Sequence, residues 1–182
     1  YLGAARADSS SLLINGNSYT LLNSITGIQN IGRTGNYALS SSIDASSTSR
    51  WNSGLGFQPI AFGSSFYGNF NGLGHSISNL TINRPSESGI GLFYKLWADS
   101  WTSNTVGVSN TALLGGSFNG NDAVGAFAGQ LNSTWSSSKS YLMNTYSTSS
   151  VSGVSGVGGL IGDVKGYAGN IYIKNNYNTG VR

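Results

Sequence analysis

The chain has 182 residues, of which 38% are hydrophobic, 8% are charged and none is cysteine. This length and hydrophobic share suffice for one domain with a buried core, and they exclude a disordered linker and a disulfide-stapled scaffold. The formal net charge is only +3, and the nine Lys and Arg residues are dispersed along the chain, so nucleic-acid binding is not expected.

The N-terminal stretch YLGAARADSSSLLING lacks the charged and then apolar pattern of a signal peptide, so an exported form is expected to be part of a longer protein. No apolar run approaches the roughly 20 residues of a membrane helix, and no membrane span is predicted. The stretch INGNSYTLLNSITGIQNIG alternates but does not match the later sequence. Residues 1–34 are therefore predicted to be an N-terminal capping or leading segment.

The rest of the chain favours β-structure. Good helix formers such as Glu, Lys, Gln and Met are scarce, whereas β-branched and aromatic residues are abundant. The runs ISNLTI at 77–82 and IYIK at 171–174 alternate in the manner of short strands.

A glycine-rich apolar pattern recurs at a nearly constant interval. It appears as IGLFYK from Ile90, VGAFAG from Val124 and VGGLIG from Val157, at separations of 34 and 33 residues. A second pattern, N-x-Y-x-T, begins at Asn144 and recurs at Asn175, and residues 104–108 are interpreted as a decayed earlier copy. Such a period is typical of a solenoid, in which each unit buries its apolar face only by stacking on its neighbours.

The sequence therefore predicts an all-β fold, a right-handed parallel β-helix with short strands and Ser/Asn/Gly-rich loops. The β-helix is assigned to residues 35–182, with repeats starting near residues 90, 124 and 157. Glycine would mark the turns and allow adjacent coils to approach closely. A β-sandwich requires no such period, and a propeller blade needs about 40 residues or more, so both are less consistent with the spacing.

Two stretches resemble known families. VGAFAG and VGGLIG resemble the GLUG motif of large secreted bacterial surface proteins and of some immunoglobulin-A-cleaving metallopeptidases. The phrases GNYALSSSIDAS, WNSGLGFQPIA, FYGNFNGLGHSISNLTINRP and GIGLFYKL resemble a segment of filamentous-haemagglutinin-type adhesins, which are exported by a two-partner or autotransporter route. The resemblance implies consecutive coils of an exported adhesin and does not specify a ligand.

Catalytic chemistry is poorly represented. The single histidine, His75, lies in a turn-like GLGHSIS context, and the six acids are mostly beside turn residues. One histidine and no cysteine disfavour zinc, His-Glu-x-x-His does not occur, and the lone GGLIGD at 158–163 lacks the tandem array of a calcium-binding β-roll. No catalytic residue, metal ligand or cofactor is predicted, although spacing alone does not exclude an acid pair brought together by stacked coils.

The tryptophans are the best candidates for ligand binding, because a narrow solenoid core rarely accommodates this side chain and an exposed indole suits sugars or partner proteins. The candidates are Trp51, Trp97, Trp101 and Trp135, with Trp97 and Trp101 expected to line one loop. The competing interpretation is that each ring covers a loop against the shaft. Asn79 and Asn132 begin Asn-x-Ser/Thr sequons and are candidate glycosylation sites.

The leading hypothesis is a non-catalytic segment of a secreted adhesin on the bacterial outer cell surface, serving as shaft or contact surface. Its expected partners are a host-cell glycan or protein, or a biofilm polysaccharide, with an outer-membrane transporter during export. The alternatives are a polysaccharide-processing β-helix enzyme of the pectate-lyase kind and a spacer module of a larger secreted peptidase.

Overall fold

The computed structural model describes residues 10–103 and 105–181. Residues 1–9 of the predicted leading segment, together with Asn104 and Arg182, lie outside the described residues. The structure is 52% strand and 8% helix, and its strands form a parallel β-solenoid of about four turns. The predicted fold class is confirmed.

The strands are short, as the alternating sequence predicts. The first nine are β1 (Ser11–Ile14), β2 (Asn17–Leu22), β3 (Thr34–Leu39), β4 (Ile43–Asp44), β5 (Tyr67–Asn71), β6 (Ser76–Ser78), β7 (Thr81–Asn83), β8 (Phe93–Ala98) and β9 (Thr105–Leu114). The other nine are β10 (Ser117–Asn119), β11 (Asp122–Val124), β12 (Ala128–Ser133), β13 (Lys139–Ser147), β14 (Ser150–Ser152), β15 (Ser155–Val157), β16 (Ile161–Gly166), β17 (Asn170–Lys174) and β18 (Tyr177–Asn178).

Two helical segments interrupt the strands, and the sequence analysis did not anticipate them. Helix α1 (Ile25–Gln29) begins after Ser24, whose Oγ accepts a hydrogen bond from the backbone N–H of Gly27 at 2.9 Å. It buries Ile25 and Ile28 against the core, so the alternating stretch before residue 34 is not strand throughout. A 3₁₀ segment spans Ser46–Gly54. The capping role of residues 1–34 stays a prediction.

Four sheets run along the solenoid. The largest follows the order β1-β2-β3-β5-β9-β13-β17 and also includes β4, β6 and β18; the smaller sheets are β7-β10-β14, β8-β12-β16 and β11-β15. Among the described strands, β1 and β2 form an antiparallel hairpin, and every other strand pair is parallel. Each face of the solenoid is therefore built from equivalent strands of successive coils.

The strand register places the recurring sequence patterns on top of one another. Val124 forms a parallel bridge with Ile90 and pairs with Val157 in the next coil. Tyr146 pairs with Tyr177, and their rings stack with centroids 4.9 Å apart and an interplanar angle of 6°. The interpretation of residues 104–108 as a further copy is wrong, because Thr105 pairs with Lys139 and the pattern's asparagine corresponds to Asn110.

The core consists of apolar columns that continue from coil to coil, together with a cluster of fully buried rings formed by Phe66, Phe70 and Phe93. The ring centroids of Phe66 and Phe93 are 4.8 Å apart, and those of Phe70 and Phe93 are 5.7 Å apart. The columns include Ile43–Ile77–Leu113, Ile82–Phe118–Val151 and Phe70–Val108–Leu142.

The glycines of the recurring pattern lie where two coils approach most closely. A Cβ atom on Gly125 would lie 2.6 Å from the backbone N of Gly162, and one on Gly162 would lie 2.3 Å from the backbone carbonyl carbon of Ala123. Real Cβ atoms do not approach backbone atoms this closely. The glycines therefore dilute the apolar pattern because a side chain at these positions would separate neighbouring coils.

A ladder of asparagine side chains ties four coils together. The Nδ2 atom of Asn110 donates to Oδ1 of Asn71 at 3.1 Å, Asn144 donates to Asn110 at 3.0 Å, and Asn175 donates to Asn144 at 3.1 Å. Asn110, Asn144 and Asn175 adopt positive φ angles of 53°, 53° and 56°, a conformation that asparagine tolerates better than most residues. Each rung links one coil to the next.

We expect Asn110→Ala to lower the free energy of unfolding by about 2 kcal/mol, because it removes two rungs and strains a positive-φ position. Asn110→Gly tolerates the positive φ but also lacks the amide, so it should cost less than alanine and separate the two effects. Urea unfolding followed by circular dichroism measures both variants. Equal stability of Asn110→Ala and the parent chain would show that the rungs contribute nothing.

Candidate functional site: an aromatic cleft across three coils

Three successive loops project from one edge of the β8-β12-β16 sheet. The strand ends Ala98, Ser133 and Gly166 are register partners, so the loops that follow them belong to consecutive coils. Each loop carries one exposed aromatic residue: the residues are Trp101, Trp135 and Tyr167, which are 85%, 50% and 72% exposed.

The outer face of the same sheet supplies the polar side chains. Gln130 is the register partner of Lys95, and Asn132 is the partner of both Trp97 and Lys165. Leu96 and Leu131 lie between these positions and are fully buried, as the alternation of a strand with one buried face requires. The strand alternation thus turns these polar and aromatic side chains away from the core.

Together the loops and the outer face enclose a cleft of about 840 Å³. Its aromatic lining consists of Trp97, Trp101, Trp135 and Tyr167. Its polar lining consists of Lys95, Asp99, Gln130, Asn132, Thr134 and Lys165. The structure therefore brings together three of the four predicted tryptophans. Trp97 and Trp101 share the cleft but do not line one loop as expected, because Trp97 lies in β8 and Trp101 in the loop that follows it.

Local hydrogen bonds fix the two tryptophan loops. Oδ1 of Asp99 accepts from the backbone N–H groups of Trp101 at 2.9 Å and of Thr102 at 2.6 Å. In the next coil, the backbone N–H of Trp135 donates to Oγ of Ser138 at 3.0 Å. Asp99 and Ser138 therefore position the exposed rings through the loop backbone.

Trp97 lies lower in the cleft than the other two tryptophans. Its Nε1 donates to Oγ1 of Thr134 at 3.3 Å, and its ring stacks on Tyr67 with centroids 6.4 Å apart. The ammonium of Lys95 lies 5.4 Å from the Trp97 ring centroid, within the range of a cation–π interaction. Trp97 is thus part of the cleft floor, whereas Trp101 and Trp135 stand at its rim.

The two lysines of the cleft have different electrostatic surroundings. Lys165 pairs with Asp163 at 2.7 Å, and this hydrogen-bonded ion pair raises the pKa of Lys165. Lys95 has no carboxylate within 4.0 Å among the described residues. The pKa of Lys95 is lowered, mainly by its partial burial and to a smaller extent by repulsion from Lys165. Among the residues that the structure describes, the Lys95 ammonium of the cleft therefore has no carboxylate counter-charge within ion-pair distance.

Asn132 is the most deeply placed polar residue of the cleft. It is 7% exposed, and its Oδ1 has no hydrogen-bond partner among the described residues. A buried acceptor left unpaired costs about 1–3 kcal/mol, so a donor from a ligand or from solvent would be favoured at this point.

The two sequons differ in accessibility. The burial of Asn132 leaves little of its side chain open to a modifying enzyme. Asn79 is exposed, but its Nδ2 donates a hydrogen bond to Oδ1 of Asp44 at 3.1 Å. This hydrogen bond is the largest of the effects that lower the pKa of the Asp44 carboxyl group. Glycosylation at either position stays a prediction.

Trp51 does not belong to the cleft. It lies in the 3₁₀ segment, packs against the core and stacks on Phe57 with centroids 6.4 Å apart. It borders a separate polar hollow of about 440 Å³ that also includes Gln29 and Gln58. Trp51 thus matches the competing interpretation, in which the ring covers a loop against the shaft.

Tyr167, Gln130 and the two lysines of the cleft were not predicted from the sequence. Tyr167 had a usable signal: it follows Trp135 by 32 residues, and Trp135 follows Trp101 by 34, close to the solenoid period. Gln130, Lys95 and Lys165 carry no comparable pattern, because their proximity depends on the register of β8, β12 and β16.

The five acidic residues that the structure describes have separate partners. Their partners are Asn79 and Ser46 for Asp44, Arg84 for Glu87, loop N–H groups for Asp99, Ser155 for Asp122 and Lys165 for Asp163. Within residues 10–103 and 105–181, no group of three or more His, Cys, Asp or Glu residues is arranged to hold a metal ion. In the same ranges, no helix has both the length and the hydropathy of a membrane span.

The chain is similar to halomucin from Haloquadratum walsbyi (strain DSM 16790 / HBSQ001), with 41% identity over 109 residues. The match covers 56% of this chain and 1% of halomucin, so the chain spans a very small part of that relative. No protein-family model and no solved structure matches the chain.

Proposed function

We propose that this chain is a non-catalytic segment of a secreted surface adhesin, in which the solenoid is the shaft and the aromatic cleft contacts a glycan. The glycan belongs to a host-cell surface or to a biofilm matrix. Export through an outer-membrane transporter, and a location on the bacterial outer surface, are parts of this proposal.

Two findings support the surface location. By its name halomucin is a mucin, and the likeness to it favours a surface or secreted repeat protein. The parallel solenoid is suited to an extracellular shaft, because inter-coil hydrogen bonds and asparagine rungs hold it together without any cysteine.

The exposed aromatic rim of the cleft is the observation that carries the binding function. Trp101 remains 85% exposed although its loop is fixed by Asp99, so the ring is held in solvent by an ordered backbone. Exposed apolar surface on an ordered scaffold marks interaction sites, and indole rings present a flat apolar face with a polar edge. Such a face matches the C–H surface of a sugar ring.

The enzyme alternative is less well supported. A β-helix enzyme acting on polysaccharide would need cooperating carboxylates in its cleft. Among the described residues that line this cleft, Asp99 is the single carboxylate, and its Oδ1 accepts two backbone hydrogen bonds. No specific observation favours a spacer role in a peptidase over the adhesin shaft.

We expect Trp101→Ala combined with Trp135→Ala to remove at least about nine-tenths of the binding signal on a glycan array, because each lost stacking contact is worth about 1 kcal/mol or more. The matched control is Tyr177→Ala, which removes an exposed aromatic ring outside the cleft. Circular dichroism and thermal unfolding should be unchanged in the double variant.

Two outcomes would overturn the proposal. Undiminished glycan binding by the double variant would remove the cleft as the contact site. Release of shortened oligosaccharides during incubation with the parent chain would show that the segment is catalytic.

A further inference from the structure

We propose that the cleft binds an acidic polysaccharide whose sugar rings carry carboxylate groups, with the polysaccharide chain lying parallel to the solenoid axis. This inference deepens the proposed glycan contact and rests on it. The ligand is thereby assigned an orientation relative to the solenoid axis and a negative charge.

The direction follows from the repetition of the aromatic rim. Trp101, Trp135 and Tyr167 follow the register-paired strand ends of three successive coils by three, two and one residues. They form an aromatic row that runs from coil to coil with a shift of one residue per coil. Neighbouring parallel strands are about 4.8 Å apart, which is close to the length of one pyranose unit in an extended polysaccharide. A chain along this row meets one aromatic residue in each coil, whereas a chain across the row would meet one aromatic residue only.

The charge of the ligand follows from the lysines. Lys95 lies beside the row and has no carboxylate partner among the described residues, while the charge of Lys165 on the same sheet is compensated by Asp163. The nearby acids offer little competition: Asp163 is paired with Lys165, and Oδ1 of Asp99 accepts from two loop N–H groups. An anionic group entering the cleft therefore meets an uncompensated ammonium group.

Asn132 supplies an independent indication of a ligand. Asn132 lines the cleft and is more than nine-tenths buried, and its Oδ1 lacks a donor among the described residues. Because Asn132 is the register partner of both Trp97 and Lys165, this acceptor lies between an aromatic ring and an ammonium group. A sugar that carries both hydroxyl donors and a carboxylate has a group to offer to each of the three.

The test compares short oligomers of galacturonic acid with the same oligomers after chemical reduction of their carboxyl groups. Isothermal titration calorimetry with the parent chain should show at least about tenfold tighter binding of the acidic form, the size expected for a hydrogen bond to a charged group. Lys95→Gln should lose about tenfold in affinity for the acidic form and little for the reduced form, and Lys95→Arg should restore most of the loss.

Lys174→Gln is the matched control. Lys174 also lies against an aromatic ring, 5.5 Å from the centroid of Tyr172, but it lies outside the cleft and its substitution should not affect binding. Thermal unfolding of every variant verifies that the fold is retained.

The outcomes separate this inference from the proposed function. Equal affinity for acidic and reduced oligomers, or full acidic binding by Lys95→Gln, would overturn the inference while the tryptophan result on the array still supports a glycan contact. Equal binding of a glutamate-rich peptide of the same charge would overturn the carbohydrate assignment. If no glycan is retained on the array, the proposed function and this inference both fail.

Discussion

Gly125→Ala should lower the free energy of unfolding by about 3 kcal/mol, although it adds a single methyl group. A Cβ atom at this position would lie 2.6 Å from backbone atoms of both Ile161 and Gly162 in the next coil. Backbone atoms cannot rotate away as a side chain can, so the two coils must separate and weaken the pairing around Val124 and Val157. Equilibrium unfolding in urea measures the loss.

Gly166→Ala is the control for this substitution. Its added Cβ would meet the flexible Cδ1 atom of Ile171 at 3.5 Å and the backbone O of Gly169 at 3.9 Å, which are both ordinary van der Waals distances. We expect its stability to match that of the parent chain or to exceed it by about 0.5 kcal/mol, because alanine restricts the unfolded chain. If both substitutions were equally tolerated, close coil approach would not explain the glycines of the recurring pattern.

Phe93→Ala should destabilise the fold by about 4 kcal/mol, the range measured when a buried phenylalanine is truncated. Phe93 is fully buried and contacts Phe66 and Phe70 within one aromatic cluster. It also pairs with Ala128 in the next coil, whose small side chain cannot fill the space. The cavity would therefore weaken the contact between two adjacent coils.

Amide hydrogen exchange is the most informative readout for Phe93→Ala, because solenoids unfold in units of neighbouring coils. Protection should fall most at β8 and β12. Leu13→Ala, at a residue that is 72% exposed, should change stability by less than about 0.5 kcal/mol. A loss of protection spread evenly from β3 to β17 would contradict the coil-by-coil account.

The fold class was predictable because stacked coils place similar residues at a constant interval in the sequence. Ile90, Val124 and Val157 recur at the interval that the strand register later shows. Helix α1 was not predictable from periodicity, since five residues are too few to show an amphipathic pattern, and Ser24 alone marks its start. The true partner of Asn144 was also hidden, because Asn110 is followed by Thr-Ala-Leu-Leu and shares only the asparagine and not the tyrosine.

The candidate site was predictable only in part. Composition and the cost of burying large rings singled out the tryptophans, but those arguments apply equally to Trp51, which stacks on Phe57 and lies elsewhere. Lys95 and Lys165 are 70 residues apart in the sequence and share a cleft only because β12 lies between their two strands. Register, which determines such neighbours, is a property of the stacked coils and not of any local segment.

The uniformly parallel stacking beyond β2 has a mechanical consequence. The hydrogen bonds between successive coils run along the stacking direction, so tension applied along that direction opens them a few at a time and does not shear a whole strand at once. Under load, the terminal coil should detach first and expose the next, so that the molecule lengthens in steps. In the proposed adhesin, such a segment would absorb a sudden pull by unfolding its coils one after another.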